Sequence, residues 1–327
     1  MPELPEVHTT AKMLNNLLSG RKILDVWTSY GGVIHEGKNH IKNRKYFSGF
    51  KKKVVGEKVK SVSRRGKNVL IHLSDNKTIL VHMKMTGHLL FGSYRKVSGN
   101  SKSETLNSKQ AQNSKSKITN SWEKEKWMPN EPAKSPLWDP FNRFVRLVFI
   151  LSGKKHLVLS DVRKFAKVCL IEKDEKTDID TLGPEPLEKS FGFSNFKFQL
   201  MKKPAWKIKT ALMNQELIAG VGNIYSDEVL WLADIHPESQ VSKIPEKKKK
   251  ILFQELKIIL KKGIEFSGDS TSDYRRPDGQ RGSFQHHHKV YQRKGERCLK
   301  KNCAGTISRI VVTGRSAHFC PKHQKKY

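Results

Sequence analysis

The chain has 327 residues, with 63 Lys and Arg against 31 Asp and Glu, giving a formal net charge of +32. Hydrophobic residues make up 36% of it, which supports packed cores and excludes global disorder, and at roughly 150 residues per domain the length fits about two domains plus a small appendage. No run approaches the ~18–20 apolar residues that cross a bilayer and no apolar secretory segment opens the chain, so a cytoplasmic protein acting on a polyanion, nucleic acid above all, is the first expectation.

Residues 2–20 open with a Pro-rich pentapeptide and continue as an amphipathic helix, with Val7, Ala11, Leu14 and Leu17 at helical spacing. From about 22 to 170 the pattern is β. The apolar runs Asn68–Leu73 and Thr78–Met83 flank Ser74–Lys77, and Phe144–Leu151 and His156–Leu159 flank Ser152–Lys155, both in the manner of hairpins. Between them, Ser, Lys, Asn and Gln dominate residues 98–121, and a stretch this polar cannot offset its ordering entropy, so a disordered insertion is expected over about 95–135. Leu182-Gly183-Pro184-Glu185-Pro186-Leu187 marks a linker at 181–189, closing an N-terminal domain over 1–180. Beyond it the period is helical. Leu217–Tyr225 reads as a helix, a glycine-punctuated turn and a second helix running to about Leu232, within a domain over 190–285. Leu252, Leu256, Ile259 and Leu260 form a further helix face behind Lys247–Lys250, a run read as a solvated turn.

Residues 286–327 hold three of the four cysteines. Cys298-x4-Cys303 and Cys320-x2-His323, sixteen residues apart, have the spacing of two knuckles closing on one tetrahedral zinc, which would replace the core such a module lacks. Cys169, alone in an apolar strand, reads as a buried thiol, and His286–His288 as a surface feature. At Gly220-x-Gly222 the backbone is open to close approach, and free N–H groups at the start of the second helix, with Asn223, suit a phosphate. At the other end, loss of Met1 leaves Pro2 with a free secondary amine, whose pKa near ~8 keeps far more of it neutral than a lysine. Such an amine can attack a sugar C1′, with Glu3 and Glu6 one turn apart to move protons. The same residues also fit an ordinary helix start, with proline in the first turn and acids at the positive dipole end.

Pro2-Glu3-Leu4-Pro5-Glu6-Val7, Arg64-Arg65-Gly66-Lys67, His82–Gly87, Asp161–Phe165, Asn214–Pro237 and the terminal cysteine module occur in the order seen in formamidopyrimidine-DNA glycosylases, which the chain resembles over nearly its whole length apart from the insertion. Leu4, where the related endonuclease VIII branch usually has Gly, favours the oxidised-purine branch. The resemblance implies an α+β protein: an N-terminal β-sandwich with a leading helix, a helix-two-turn-helix domain and a zinc ribbon, acting as a monomer on double-stranded DNA that contains oxidised bases or abasic sites. It makes Pro2 the nucleophile, Glu3 the group handling protons at the sugar, Glu6 a second acid nearby and Lys67 a phosphate contact that assists base removal. Met85, Arg163 and Phe165 would fill the hole left by an everted base. Asn223 and Arg315 would hold phosphates, and Cys298, Cys303, Cys320 and His323 one structural Zn2+. Thr271–Gln285 would include a mobile loop hinged at Gly279 and Gly282. An oxidised-pyrimidine glycosylase of the endonuclease VIII type and a non-catalytic damaged-DNA-binding paralogue are the alternatives. Three departures from the family pattern stand out: four residues rather than two between the first finger cysteines, His323 in place of a fourth cysteine, and no histidine in Asn142–Val145.

Overall fold

A computed structural model describes residues 1–30, 38–98, 125–172 and 175–327. Helix α1 (Leu4–Leu18) buries Val7, Ala11, Leu14 and Leu18 in the first core, while its first residue, Leu4, belongs to the second. The helix thus crosses from one domain to the other, and its acidic N-terminus lies where they meet.

Two four-stranded antiparallel sheets follow. One has the order β1 (Ile23–Thr28), β8 (Val145–Leu151), β9 (Lys155–Asp161), β5 (Gly87–Gly92); the other β10 (Lys167–Ile171), β4 (Thr78–His82), β3 (Asn68–Leu73), β2 (Val59–Arg65). Val26, Leu89, Leu147 and Phe149 of the first sheet share a core with Val69, Ile71, Val81 and Val168 of the second, so the sheets form a sandwich. Both expected hairpins are present, β3–β4 and β8–β9. Register places Asn68, His82 and Lys167 side by side across β3, β4 and β10. Lys67, Met85 and Phe165, each one to three residues beyond that row, therefore leave the sandwich at the same end.

The β domain and the segments next to it depart from the sequence reading in several places. Helix α2 (Arg44–Val54) interrupts the β region; its Phe50 and Val54 join the core, and Asn43 caps it by accepting from the Tyr46 N–H at 3.0 Å. The insertion expected over 95–135 is ordered at both ends, because β6 (Tyr94–Ser98) pairs with β7 (Glu125–Pro129). The physical reason is aromatic burial: Trp127 packs 6.2 Å from Trp27 and 5.3 Å from His156, between ring centroids, on the outer face of the first sheet. Residues 99–124, the heart of that expectation, lie outside the described residues. The linker is not loose either. The Gly183 N–H donates to Gln215 and the Ala219 N–H to Pro184, while Glu185 is 5% exposed. Finally, Lys249 of the lysine run is buried, its ammonium donating to the Ile244 carbonyl at 2.7 Å, and Lys248 pairs with Asp234.

Helices α3 (Phe193–Met201), α4 (Ile208–Met213), α5 (Asn223–Leu232) and α6 (Glu246–Glu265) surround the second core. The first helix of the helix-turn-helix ends at Met213, so Leu217 and Ile218 are buried within the turn rather than within a helix. The finger hairpin, β11 (Ser308–Val312) with β12 (Arg315–Phe319), docks on α5. Asp227 of α5 is fully buried; it binds Lys209 of α4 and accepts from the His318 N–H at 2.9 Å, while Glu228 accepts from the N–H groups of Lys289, Val290 and Tyr291.

Candidate active site and nucleic-acid interface

Pro2 is buried at the start of α1. The Glu3 N–H donates to the Glu6 carboxylate at 2.7 Å, which closes the first turn. The Glu3 carboxylate reaches the second domain, where it accepts from the N–H groups of Ile224 at 2.9 Å and Tyr225 at 3.4 Å. These are the helix N-terminal donors that the sequence reading offered to a phosphate. Glu3 occupies them instead, and the glycine turn serves the same contact. A Cβ on Gly222 would lie 2.3 Å from Glu3 Cδ, and one on Gly220, at φ +89°, 2.7 Å from Leu4 Cβ. The glycines admit the N-terminus of the chain.

Glu6 is 1% exposed and accepts from the Tyr225 hydroxyl at 2.8 Å and from the Asp269 N–H at 2.7 Å. Burial, with Glu3 and Asp269 nearby, pushes its carboxyl up to about 7. Burial also raises Glu3, against the opposing pull of Lys67, the Ile224 N–H and the chain's amino terminus. Lys67, on the turn into β3 and 6% exposed, is drawn down by burial and further by the Arg315 guanidinium, while Glu3 and Glu6 hold it up. Glu3, Glu6, Lys67 and Arg315, more than 300 residues apart in sequence at the extremes, thus act on one another in one electrostatic unit, which the chain's amino terminus joins through Glu3.

Residues unmarked by sequence reasoning complete it. Glu185, from the expected linker, accepts from both terminal nitrogens of Arg64, at 3.1 and 2.6 Å, and from the Gly66 N–H at 2.6 Å, which pins the turn carrying Lys67. Asp161, fully buried, accepts from Thr86 Oγ1 at 2.5 Å and the Ala166 N–H at 2.8 Å, and Thr86 Oγ1 in turn accepts from the Arg163 N–H at 3.0 Å. That carboxylate ties together the two loops carrying Met85 and Arg163–Phe165. Apart from the Ala166 N–H, five residues from Asp161, their partners lie 75–121 residues away, so only the tertiary fold reveals them.

Met85 is 36% and Phe165 48% exposed, which sets aside core packing for both. The Arg163 guanidinium lies 4.6 Å over the Phe165 ring. Each loop turns through a left-handed, non-glycine residue, Lys84 at φ 54° and Lys164 at φ 58°, and such strain is kept where surrounding bonds over-determine it. Asn223 heads α5 with its amide at the Tyr291 hydroxyl and its Oδ1 buried without a partner. Arg315 is exposed at the finger hairpin.

Cys298, Cys303, Cys320 and His323 bring their donor atoms within 4.8 Å of one another. Cys303 Sγ lies 3.6 Å from Cys320 Sγ, against about 3.8 Å for the edge of a tetrahedron with zinc–sulfur bonds of about 2.3 Å. His323 Nδ1 is 3.4 Å from Cys298 Sγ, while its Nε2 faces the Trp231 carbonyl at 3.3 Å, which fixes Nδ1 as the inward donor. The four residues fit a tetrahedral ion. The neighbouring histidines do not converge. His287 stacks on Phe266 with ring centroids 3.7 Å apart, and His288 is buried against Asp269 at 2.6 Å rather than displayed on the surface.

The stretch expected to be a hinged loop is instead seated on the sandwich. Gly279, at φ +84°, rests on Pro136, where a Cβ would come within 2.6 Å of its carbonyl carbon, and Gly282 lies against the Gly268 carbonyl. Both glycines make close contacts with these neighbours.

A β-sandwich whose leading helix plants its acids beneath a helix-two-turn-helix, with a cysteine–histidine finger alongside, defines a class of DNA glycosylases of base excision repair. The formamidopyrimidine-DNA glycosylase N-terminal domain matches residues 1–168, and the H2TH domain of the same glycosylases matches residues 182–275. The chain is 32% identical over 329 residues to a formamidopyrimidine-DNA glycosylase of Bacillus subtilis, covering 100% of both chains. It is also 32% identical over 323 residues to one of Herpetosiphon aurantiacus, covering 98% of each. A Lactococcus lactis enzyme solved with Fapy-dG-containing DNA superposes with a TM-score of 0.75 at 29% identity, over 99% of this chain and 100% of that one. The same Lactococcus enzyme solved with abasic-site DNA gives 0.73, with the same identity and coverage. The chain belongs to the formamidopyrimidine-DNA glycosylase family. Among the described residues no helix is long and apolar enough to cross a membrane.

Proposed function

We propose that this enzyme removes oxidised purines, 8-oxoguanine and formamidopyrimidines, from intracellular duplex DNA as a monomer, and then cuts the strand at the resulting abasic site. The reading rests on one observation above all: the buried start of α1, where Pro2 immediately precedes a carboxylate that is held by two N–H donors and faces a lysine lowered by burial. Relatives solved with Fapy-dG and abasic-site DNA support the choice of substrate.

With Met1 removed, the Pro2 nitrogen attacks C1′ of the damaged nucleotide. The glycosidic bond breaks, its electron pair leaves with the base, and a proton neutralises that base. The C1′–O4′ bond then opens, with O4′ taking a proton, to leave an iminium ion at C1′; this acidifies the C2′ proton, whose loss expels the 3′ phosphate, and a second elimination along the opened sugar expels the 5′ phosphate. Glu3 is the group placed to move protons at the sugar, with Glu6 behind it. Lys67 and Arg315 meet the flanking phosphates, and Met85, Arg163 and Phe165 fill the vacated stack. Turning the Asn223 amide end for end lets its oxygen accept from the Tyr291 hydroxyl and frees its N–H groups for a phosphate. Cys298, Cys303, Cys320 and His323 hold one structural Zn2+ that keeps Arg315 presented.

Borohydride should trap the protein covalently on duplex DNA bearing 8-oxoguanine opposite cytosine. Intact DNA binding with no adduct would favour the damage-binding alternative. Preferential cutting of oxidised pyrimidines across a panel of lesion duplexes would favour the endonuclease VIII type.

A further inference from the structure

We propose that Asp139 and Arg275 form a latch that shapes segment 269–282 over the catalytic acids, making Arg275 a positioning residue for base removal. The inference rests on the glycosylase reading above. The near end of this segment is bonded to the acid cluster. The Asp269 N–H donates to Glu6 Oε1 at 2.7 Å, and Tyr274, 4% exposed, donates its hydroxyl to the Glu6 carbonyl at 3.1 Å.

One residue on, Arg275 points the other way. It is 2% exposed, and its Nε meets Asp139 Oδ2 at 2.9 Å. Its Nη1 donates to the carbonyls of Ser272 at 3.1 Å and Tyr274 at 2.9 Å, and its guanidinium lies 4.8 Å over the Phe141 ring. Two backbone contacts extend the seat: the Phe91 N–H of β5 donates to the Pro277 carbonyl at 2.7 Å, and Gly279 packs on Pro136. The seat is itself fixed to the first sheet. Asn142 donates to the Pro136 carbonyl at 3.0 Å and meets His88 at 2.9 Å, and Ser160 donates to the Phe141 carbonyl at 3.0 Å.

Burying an arginine costs desolvation that one carboxylate barely offsets, so such a pair is better explained by the geometry it specifies than by stability. What it specifies here is the course of the chain between Glu6 and β5. Attack by Pro2 takes place at the sugar, whereas the departing base needs a wall of its own. An abasic site has no base to house. Loosening the segment should therefore impair base excision and spare strand cleavage at a pre-formed abasic site.

The test compares Asp139→Asn and Arg275→Met with the parent on duplexes holding 8-oxoguanine or an abasic site, with Arg275→Lys as the conservative control. Base excision should fall about tenfold or more in kcat, in line with the cost of a small misplacement, while abasic cleavage stays within about twofold. Arg275→Lys should recover part of the loss. Hydrogen exchange of amides 270–282 should accelerate about tenfold in Asp139→Asn, whose Oδ1 bond to the Phe141 N–H can persist. That readout needs no activity and carries the test if Arg275→Met does not fold. Equal loss of both activities, no loss of either, or unchanged exchange would overturn the latch. A parent enzyme that neither cuts abasic DNA nor is trapped by borohydride would instead sink the functional reading itself.

Discussion

The cleft has two sides built on opposite principles. At the start of α1, Glu3, Glu6 and Lys67 are 2%, 1% and 6% exposed, and both carboxylates bond to backbone N–H groups. In the loops opposite, Met85 and Phe165 are 36% and 48% exposed, on backbone that turns through strained lysines. Proton transfer and stabilisation of developing charge gain from fixed dipoles in a dry surrounding. Side chains proposed to enter a base stack must instead stand clear of their own protein. Rigidity on the loop side comes from below, through Asp161, and charge on the acid side comes from within. Variants on the two sides should therefore fail in different ways.

The largest effect should follow Glu3→Gln. The amide keeps one acceptor for the helix start but loses the charge facing Lys67 and the amino terminus. Base excision should drop by about 10²–10⁴-fold in single-turnover assays, with DNA affinity little changed. A Phe165 variant that lost as much would erase the contrast. The next effect comes from stripping the finger. Chelation or Cys303→Ser should weaken DNA binding by about 10–100-fold, because the hairpin that presents Arg315 would lose the ion proposed to anchor it, and circular dichroism should show the finger loosening at lower temperature. Undiminished binding would mean that the docking through Asp227 and Glu228 suffices without an ion. A smaller effect belongs to Phe165→Ala, which removes an exposed ring. Stability should change by no more than about 0.5 kcal/mol, as for surface sites, while base eversion, read with a fluorescent base opposite the ring, slows several-fold. A clear loss of stability there would show that the ring packs as core after all.

The two sides were also unequally legible in the sequence. Local patterns announced α1, the β3–β4 and β8–β9 hairpins and the cysteine spacing, because each depends on periodicity or turn chemistry within a few residues. Helix α2 was missed although Phe47, Phe50 and Val54 recur at three- and four-residue intervals behind the Asn43 cap. Its three C-terminal lysines masked the apolar face. The ordered ends of the insertion hinge on Trp127, one aromatic in a charged run whose partner Trp27 lies 100 residues earlier. Glu185 and Asp161 could not be assigned from sequence, since an acid among prolines and an acid ending a strand look alike until the fold supplies their donors. The glycine turn was read for a phosphate alone for the same reason: spacing shows that something approaches, and only the structure shows that Glu3 does.

The effect that isolates the buried side is a pH dependence of stability. Glu6 is raised from 4.5 to about 7 in the folded protein, chiefly by burial, with Glu3 and Asp269 adding to the rise and the Tyr225 hydroxyl and Asp269 N–H opposing it. Lys67 and His288 also face it, each held up in part by its charge. Between pH 4.5 and 7 the folded chain thus binds a proton at this site that the unfolded chain has released. The associated stabilisation is complete below about 4.5 and lost as pH rises through about 7. Glu6→Gln cannot titrate, so its melting temperature should vary less across this window than the parent's, the two curves diverging as pH rises. Parallel curves would mean that the three N–H and O–H donors around the carboxylate hold it ionised throughout. In that case hydrogen bonding, rather than desolvation, would set the charge state on the acid side of the cleft.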